Sequence, residues 1–232
     1  MPDPLDPSSD ADVRAAHPEH EIPYQAELKR KALHLLALMA PLTVTVTGKT
    51  WSLLLLAPAA VVALAADVLR VRWAPFAHFI DRFFGSLMRS EERPPVGGPV
   101  SINGATWVLV SSSLLILIFP VRIALAAFVM FMIADAAAAI VGRRIGRIHW
   151  GSSARTVEGS LAFLAVGTVV MSGFALGSDL VLWTGLVATL FGCAAEAIPR
   201  PLNDNIRVPI VAASVLFVLE RFVLGRPVEL FF

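Results

Sequence analysis

The sequence predicts an all-α fold class, a polytopic bundle of membrane-spanning helices, and three observations favour it. Hydrophobic residues make up 56% of the 232 residues and charged residues only 16%, whereas average proteins contain roughly 45–50% apolar residues. The mean hydropathy is +0.72. Apolar runs of about 18 residues recur along the chain, and each is long enough to cross a bilayer. These observations exclude a soluble enzyme, a nucleic-acid-binding module and a disordered chain.

The charge balance and the cysteine content exclude further classes of partner and site. The formal net charge is +1 at pH 7, so no overall bias favours a polyanionic partner. The single cysteine, Cys193, lies inside an apolar run. It therefore excludes a disulfide framework and a cysteine-based zinc site.

The chain divides into a polar N-terminal arm and a region of apolar spans. Residues 1–26 are polar and mostly acidic, without the basic start and apolar stretch of a signal peptide, so we expect a flexible solvated arm. Short links at Pro120 and at 177–179 predict antiparallel helical hairpins. Seven transmembrane helices are predicted, at about 30–47, 51–70, 104–119, 121–141, 159–177, 180–198 and 206–224.

The basic residues predict how these helices are oriented. With a cytoplasmic N-terminus, all but four of the 19 lysine and arginine residues fall on the cytoplasmic side, in agreement with the positive-inside rule. We therefore expect a multi-pass protein of the cell membrane with its N-terminus inside and its C-terminus outside. The four basic residues on the outer side are Lys49, Arg122, Arg221 and Arg226.

Residues 72–90, between the second and third spans, predict an amphipathic helix. Aromatic and aliphatic residues recur there at a spacing of three to four, with charged residues elsewhere on the helical wheel. This pattern is typical of a helix that lies in the membrane interface. A helix packed under the bundle is the alternative.

Polar residues of the first span form the first candidate site. Glu27, Lys31 and His34 stand at i, i+4 and i+7 and therefore share one helical face. Anchoring of the basic residues to lipid headgroups explains Lys31. It does not explain an acid and a histidine aligned with it, which together favour a functional site.

The fourth span and the loop that follows it form the second candidate site. Asp135 lies about 10 Å from the end of the span at helical rise, and a carboxylate at that depth by default marks function. An ion pair that holds two helices together is the alternative. The loop interleaves glycines with arginines, which can bind phosphates through backbone N–H groups and guanidinium groups. Its candidate residues are Gly142, Arg143, Arg144, Arg155 and Glu158.

Two further loops carry oxygen and amide donors. Glu196 and Asp204 flank a proline-rich loop, and carboxylates near a membrane surface suit Mg²⁺. Asn203 and Asn205 flank Asp204 in this loop, and a plain Asx turn with helix caps is the competing interpretation. Asn103, after a glycine-rich stretch, is placed to bind a ligand or to cap the third span.

These groups together favour phosphoryl or nucleotidyl transfer. The acids suit Mg²⁺, the arginines suit a triphosphate, and a histidine or acid suits the base for an alcohol. The only GK[ST] triplet, Gly48-Lys49-Thr50, lacks the glycine of a Walker A loop, and no protein-kinase signature is present. The apolar chain indicates an acceptor dissolved in the membrane.

The order of the motifs resembles the CTP-dependent lipid kinases: dolichol kinases, phytol and farnesol kinases, and CTP-dependent diacylglycerol kinases, distant relatives of the phosphatidate cytidylyltransferases. Arg155 stands where that family usually has lysine, and Asn203 stands where an aspartate commonly precedes Asp204. The matching elements are ELKRKALH at 27–34, ADAAAAIVGRRIGR at 134–147, ARTVEGS at 154–160 and EAIPRPLNDNIRVPI at 196–210.

The resemblance implies a kinase that transfers the γ-phosphate of CTP to a lipid alcohol, with its site facing the cytoplasm. Residues 27–232 would form one transmembrane catalytic domain. The implied Mg²⁺ ligands are Asp135, Glu196 and Asp204. The implied catalytic residues are Glu27, Lys31, His34, Asp135 and Glu158, with His34 or Glu27 as the base. The implied nucleotide-binding residues are Asn103, Gly142, Arg143, Arg144, Arg155 and Asn205.

The acceptor stays open between diacylglycerol and an isoprenoid alcohol such as phytol, farnesol or polyprenol. The expected partners are this lipid and CTP, with no nucleic acid, and a homodimer is compatible with the sequence. A phosphatidate cytidylyltransferase, which makes a CDP-lipid, needs the same binding groups and is the main alternative. A small ion- or proton-coupled transporter that uses Asp135 is a more distant one, since the sequence shows no internal repeat.

Overall fold

The computed structural model describes residues 28, 31–32, 34–85, 88, 92–151, 153–198 and 202–227. Within these residues the chain is helical apart from its connections, of which 92–103 and 146–156 are the longest, and its β-structure is a single bridge between His149 and Thr156. The predicted all-α membrane bundle is confirmed. Its helices are α1 (Met39–Arg72), α2 (Ala74–Phe84), α3 (Gly104–Ile118), α4 (Val121–Ile145), α5 (Val157–Gly177), α6 (Leu182–Ala197) and α7 (Asp204–Val218), followed by a π-helical turn (Leu219–Val223).

Helix α1 consists of two segments that meet at Gly48. This glycine has φ 78° and ψ 173°, a conformation that residues with a Cβ rarely adopt. His34 and Ala63 line one cavity, so the segments before and after Gly48 run antiparallel. The Ser52 hydroxyl donates to the Gly48 carbonyl at 2.7 Å and stabilises the reversal. The two segments correspond to the predicted spans at 30–47 and 51–70.

Three helical stretches of the described residues are long and apolar enough to cross a membrane: His34–Arg72, Val121–Ile145 and Val157–Gly177. Helices α3 and α6 are apolar but shorter. Predicted and observed boundaries differ by only a few residues because Pro120 and the 177–179 turn end the helices where the sequence indicates.

Helix α4 lies at the centre of the bundle. It packs against α1, α3, α5, α6 and α7, and its alanine-rich sequence lets neighbouring backbones approach closely. Its middle is almost completely buried, and Asp135 lies just beyond that part. The fully buried residues are Ile123, Ala126, Ala127, Met130, Phe131, Met132 and Ala134.

Helices α4 and α5 cross through glycines near the loop that joins them. A Cβ at Gly142 would lie 2.8 Å from the Thr156 hydroxyl oxygen, and a Cβ at Gly159 would lie 3.0 Å from the Ala138 carbonyl oxygen. Thr156 also caps α5, because its hydroxyl accepts a hydrogen bond from the Gly159 N–H. Glycine at position 142 therefore has a packing role, which sequence reasoning did not assign to it.

Helix α2 is the short amphipathic helix that the sequence predicts over 72–90. Ala77 is its one buried residue, while Phe79 and Phe83 are exposed, and their tilted rings have centroids 5.0 Å apart. An exposed aromatic row of this kind suits lipid contact. Its position in the membrane interface stays a prediction.

Some sequence predictions fall outside the described residues or are not tested by the fold. The N-terminal arm at 1–26 and the site residue Glu27 lie outside the described residues. The single-domain assignment of 27–232 and the cytoplasmic N-terminus stay predictions.

Candidate active site

Lys31 and His34, in the helical residues that precede α1, lie close to Asp135 of the central helix α4. The Lys31 ammonium donates a hydrogen bond to an Asp135 carboxylate oxygen, and the same oxygen lies 3.5 Å from His34 Nε2. The His34 and Phe131 rings form a T-shaped pair with centroids 5.8 Å apart. Lys31 is only 5% exposed, so Asp135 provides a counter-ion that a buried ammonium needs.

Arg155 joins two acids on different helices. Its Nε lies 3.0 Å from Glu196 Oε1 at the end of α6, and its Nη2 donates to Asp204 at the start of α7. Arg207, one turn into α7, donates to the other Asp204 oxygen. A guanidinium presents several donors in a fixed fork, which a lysine ammonium does not. Arginine at position 155 can therefore hold Glu196 and Asp204 at the same time.

The two groups form one charged cluster. The carboxylates of Asp135 and Asp204 both lie close enough to Glu196 to act on its charge. Three acids are thus near three bases, and this balance reduces the cost of burying the charges. We call this the charged cluster, and it consists of Lys31, Asp135, Arg155, Glu196, Asp204 and Arg207.

The α4–α5 loop is a tight hairpin that presents Arg155. The Trp150 N–H donates to the Arg155 carbonyl at 2.9 Å, and the Val157 N–H donates to the Ile148 carbonyl at 2.8 Å. The Glu158 carboxylate accepts from the Arg147 N–H at 2.9 Å and from the Ile148 N–H. Glu158 therefore stabilises the loop backbone, and its predicted role in catalysis stays a prediction.

The remaining loop residues of the predicted nucleotide site lie near the end of α4. Arg143 and Arg144 are exposed in the last turn, where cations also offset the helix dipole. Gly142 lies one residue earlier in the contact with α5. The predicted contact of these residues with a nucleotide stays a prediction.

The three asparagines have structural partners. Asn203 caps α7 by accepting from the Asn205 N–H at 3.0 Å, as the alternative interpretation of that loop expected. Asn205 donates to the Gly104 carbonyl at 3.0 Å. Asn103 caps α3 and also donates to Asp67. Asn103 and Asn205 line a cavity beside the charged cluster, and their predicted contact with a nucleotide stays a prediction.

Sequence reasoning missed two charged residues that belong to this cavity. Asp67 and Arg70, one helical turn apart on α1, are 3% and 4% exposed. In the sequence analysis Asp67 is only one residue of the predicted span at 51–70, and Arg70 is only one of the basic residues on the cytoplasmic side. An acid inside an apolar span was the available signal, since such a group usually marks a site.

Comparisons with known proteins give two distant relatives. The chain is 26% identical over 191 residues to an uncharacterised protein of Rickettsia prowazekii, across 81% of this chain and 91% of that protein. It is also 26% identical over 171 residues to CTP-dependent diacylglycerol kinase 1 of Schizosaccharomyces pombe, across 68% of this chain and 76% of that protein. No protein-family model and no solved structure matches the chain. The chain is therefore similar, over about two thirds of its length, to a CTP-dependent lipid kinase.

Proposed function

We propose that the protein is a membrane kinase that transfers the γ-phosphate of CTP to the hydroxyl group of a lipid alcohol. The observation that carries the proposal is the contact of the charged cluster with a mostly apolar cavity. His34 connects the two, since it lies beside Asp135 of the cluster and lines the cavity. The similarity to a CTP-dependent diacylglycerol kinase supports the choice of donor and reaction.

The charged cluster is compatible with Mg²⁺ held between protein and phosphates. No group of three His, Cys, Asp or Glu suited to a metal is found among the described residues. Mg²⁺, however, is usually held by one or two carboxylates together with substrate phosphates and water. Glu196 and Asp204 meet on one guanidinium and so fit this pattern, with Asp135 nearby. When bound, the ion would neutralise charge on the phosphates.

His34 is the described residue best placed to act as the base. In the proposed reaction the lipid hydroxyl oxygen bonds to the γ-phosphorus of CTP, and the bond from that phosphorus to the β-phosphate oxygen breaks. The hydroxyl proton passes to His34, and CDP leaves. Asp135 is close enough to stabilise the resulting imidazolium. Glu27 is the alternative base.

The arginines of the α4–α5 loop are proposed to hold the triphosphate. Arg143 and Arg144 are exposed in the last turn of α4, more than two helical turns after Asp135, and guanidinium groups bind phosphate oxygens through paired hydrogen bonds. Arg155 would exchange a carboxylate contact for a phosphate contact when CTP binds. The Lys31 ammonium would stay bonded to Asp135 with and without bound CTP.

The test is a transfer assay with purified protein in lipid, with CTP labelled on its α- or γ-phosphate. We expect the γ-label alone to appear in a lipid alcohol, chosen from diacylglycerol, phytol, farnesol and polyprenol, with CDP as the second product. ATP should support much slower transfer than CTP. Transfer of the α-label to phosphatidate would indicate a cytidylyltransferase instead. Equal rates with ATP, or no labelled lipid, would contradict the proposal.

A further inference from the structure

A cavity of about 480 Å³ lies between the residues just before α1, the second segment of α1, the amphipathic helix α2 and helix α3. This volume is within the range of about 300–1,000 Å³ typical of small-molecule sites. Its inner walls are apolar, with small alanines just before α1 and on its second segment, and larger side chains on α2 and α3. These wall residues are Ala37, Ala63, Ala66, Ile80, Phe84, Val108 and Leu109.

Helix α2 forms the wall of the cavity nearest to the exposed aromatic row. Ile80 and Phe84 line the cavity, while Phe79 and Phe83 of the same helix are 55% and 60% exposed. One helix therefore forms part of the cavity wall and also carries the exposed aromatic row. If α2 lies in the membrane interface as predicted, the cavity is next to the lipid.

One end of the cavity is polar, and its side chains are buried and joined by hydrogen bonds. The Asp67 carboxylate accepts hydrogen bonds from the Asn103 backbone N–H at 3.1 Å and side-chain amide at 2.9 Å. Arg70 lies 3.8 Å from Asp67 and donates to the Ser101 carbonyl at 3.3 Å. Both acid and base are more than nine-tenths buried. This arrangement fixes the Arg70 side chain beside the cavity.

The Arg70 guanidinium has an unused donor. Among the described residues, its Nε has no hydrogen-bond acceptor, although the atom is buried. A buried donor without an acceptor destabilises the folded protein. Arg70 lines the cavity, and its Nη1 donates at 3.1 Å to the Met88 sulfur, which is a weak acceptor. A ligand oxygen in the cavity would be a stronger acceptor for this guanidinium.

The cavity and the charged cluster share a boundary. His34 lines the cavity and contacts Asp135 of the cluster. Asn205 lines the cavity and directly follows Asp204 in α7. A hydroxyl group at this boundary is near the proposed base, and its chain extends between the alanines of α1.

We infer that this cavity binds the acceptor lipid, and that Arg70 selects alcohols that carry an acceptor oxygen next to the hydroxyl. Diacylglycerol has such ester oxygens, whereas phytol, farnesol and polyprenol have only the hydroxyl. The inference rests on the proposed function for the reaction, but not for the location of the lipid. The acceptor class is therefore a glycerolipid, with its hydroxyl toward His34 and an ester oxygen toward Arg70.

Filling the cavity tests the location of the lipid. Ala66→Phe places a ring in the cavity, whereas Ala65→Phe, the matched control, changes an exposed residue of the same segment. A photoreactive diacylglycerol should crosslink to the parent and to Ala65→Phe, and at least ~10-fold less to Ala66→Phe. Equal crosslinking of all three proteins would overturn the inference.

Kinetics then test the same variant in the reaction. Ala66→Phe should raise KM for diacylglycerol at least ~10-fold and leave KM for CTP unchanged. Crosslinking needs no CTP, so a wrong location for the lipid can be distinguished from a wrong reaction. Cavity-dependent crosslinking without CTP turnover would contradict the kinase, and turnover indifferent to Ala66→Phe would contradict the cavity.

Replacing Arg70 tests the choice of acceptor. Arg70→Met should lower kcat/KM for diacylglycerol at least ~10-fold and change that for phytol less than ~2-fold. Because this variant leaves Asp67 buried without its cation, the double variant Asp67→Asn, Arg70→Met is measured beside it. Equal losses with diacylglycerol and phytol in the folded double variant, or a parent that prefers phytol, would overturn the selective role of Arg70.

Discussion

The Asp135 carboxylate lies on the central helix between an ammonium and an imidazole. Lys31 bonds to it directly, and His34 Nε2 is 3.5 Å away. Its depth in the bundle was predicted from the sequence, and so was its nearness to the face of Lys31 and His34. The direct bond to Lys31 was not. That bond gives Asp135 a structural contribution beside its proposed catalytic one.

Asp135→Asn should separate these contributions. Removing one partner of a buried ion pair costs about 3–5 kcal/mol, so we expect a lower thermal midpoint. We also expect transfer activity to fall at least ~100-fold, about 2.7 kcal/mol of barrier. The double variant Lys31→Met, Asp135→Asn should regain most of the thermal midpoint without regaining activity. Thermal unfolding and the γ-label assay measure the two effects.

The matched control is Asp179→Asn. Asp179 is exposed in the turn between α5 and α6, away from the charged cluster. This change should alter neither thermal midpoint nor activity. Near-parent turnover by Asp135→Asn would show that the carboxylate is structural and is not needed for the reaction.

The sequence indicated which residues belong to the site better than it indicated which of them contact each other. The sequence identifies Asp135, Glu196 and Asp204 as unusual because charges near apolar spans are costly. It does not indicate that Arg155 bridges two of them, since positions 155, 196 and 204 approach only after three helices pack. Arg207 was counted only as a basic residue of the inner side. Such pairings depend on helix rotation, which periodicity alone does not determine.

At the scale of elements, the α4–α5 contact explains why glycines surround the arginine-rich loop. Glycine-rich loops can bind phosphates, and the sequence was interpreted in that way. The structure adds that Gly142 and Gly159 allow the helices to approach through the Thr156 cap. A small residue at position 142 is required by packing whether or not a nucleotide binds there.

Gly142→Ala should therefore destabilise the protein. The new Cβ would lie 2.8 Å from the Thr156 hydroxyl oxygen, which must move and weaken the α5 cap. We expect a loss of about 1–3 kcal/mol in the free energy of unfolding, measured by denaturant titration. Gly173→Ala in α5 is the matched control, because nothing lies within 4 Å of its Cβ. Equal effects of the two changes would contradict the packing role.

Helix boundaries were predicted well for a simple physical reason. Proline, glycine and polar residues interrupt the apolar runs at places where a helix has to end. Helix α7 is the exception, because the chain passes from α-helix to a π-helical turn at Leu219. Glu220 there is fully buried and accepts from the Thr184 hydroxyl at 2.7 Å. No sequence pattern indicated that tertiary bond.

At the scale of the whole molecule, the charged cluster and the arginine-rich loop lie at one end of the bundle. The turns at Gly48, Pro120 and 177–179 lie at the other end, since each connects helices that run to the cluster. The positive-inside rule predicts that the cluster end faces the cytoplasm. CTP would then reach the site from the side where it is present.

Cysteine labelling in intact cells tests this orientation. In a Cys193→Ala background, Ser178→Cys marks the turn end and Ala154→Cys marks the cluster end, and both native residues are exposed. A membrane-impermeant maleimide should label Ser178→Cys in intact cells, and Ala154→Cys only after lysis. The reverse pattern would contradict the predicted orientation.

The position of the reversal at Gly48 also determines the direction in which each later side chain of α1 points around the helix axis. Each residue turns an α-helix by about 100°, so one inserted residue between Gly48 and Ala63 would rotate Asp67 and Arg70 by that angle. Their side chains would leave the cavity and face the surrounding helices or lipid, with the sequence of the site unchanged. The number of residues between the reversal and the polar end is therefore as much a part of the site as the charged groups themselves.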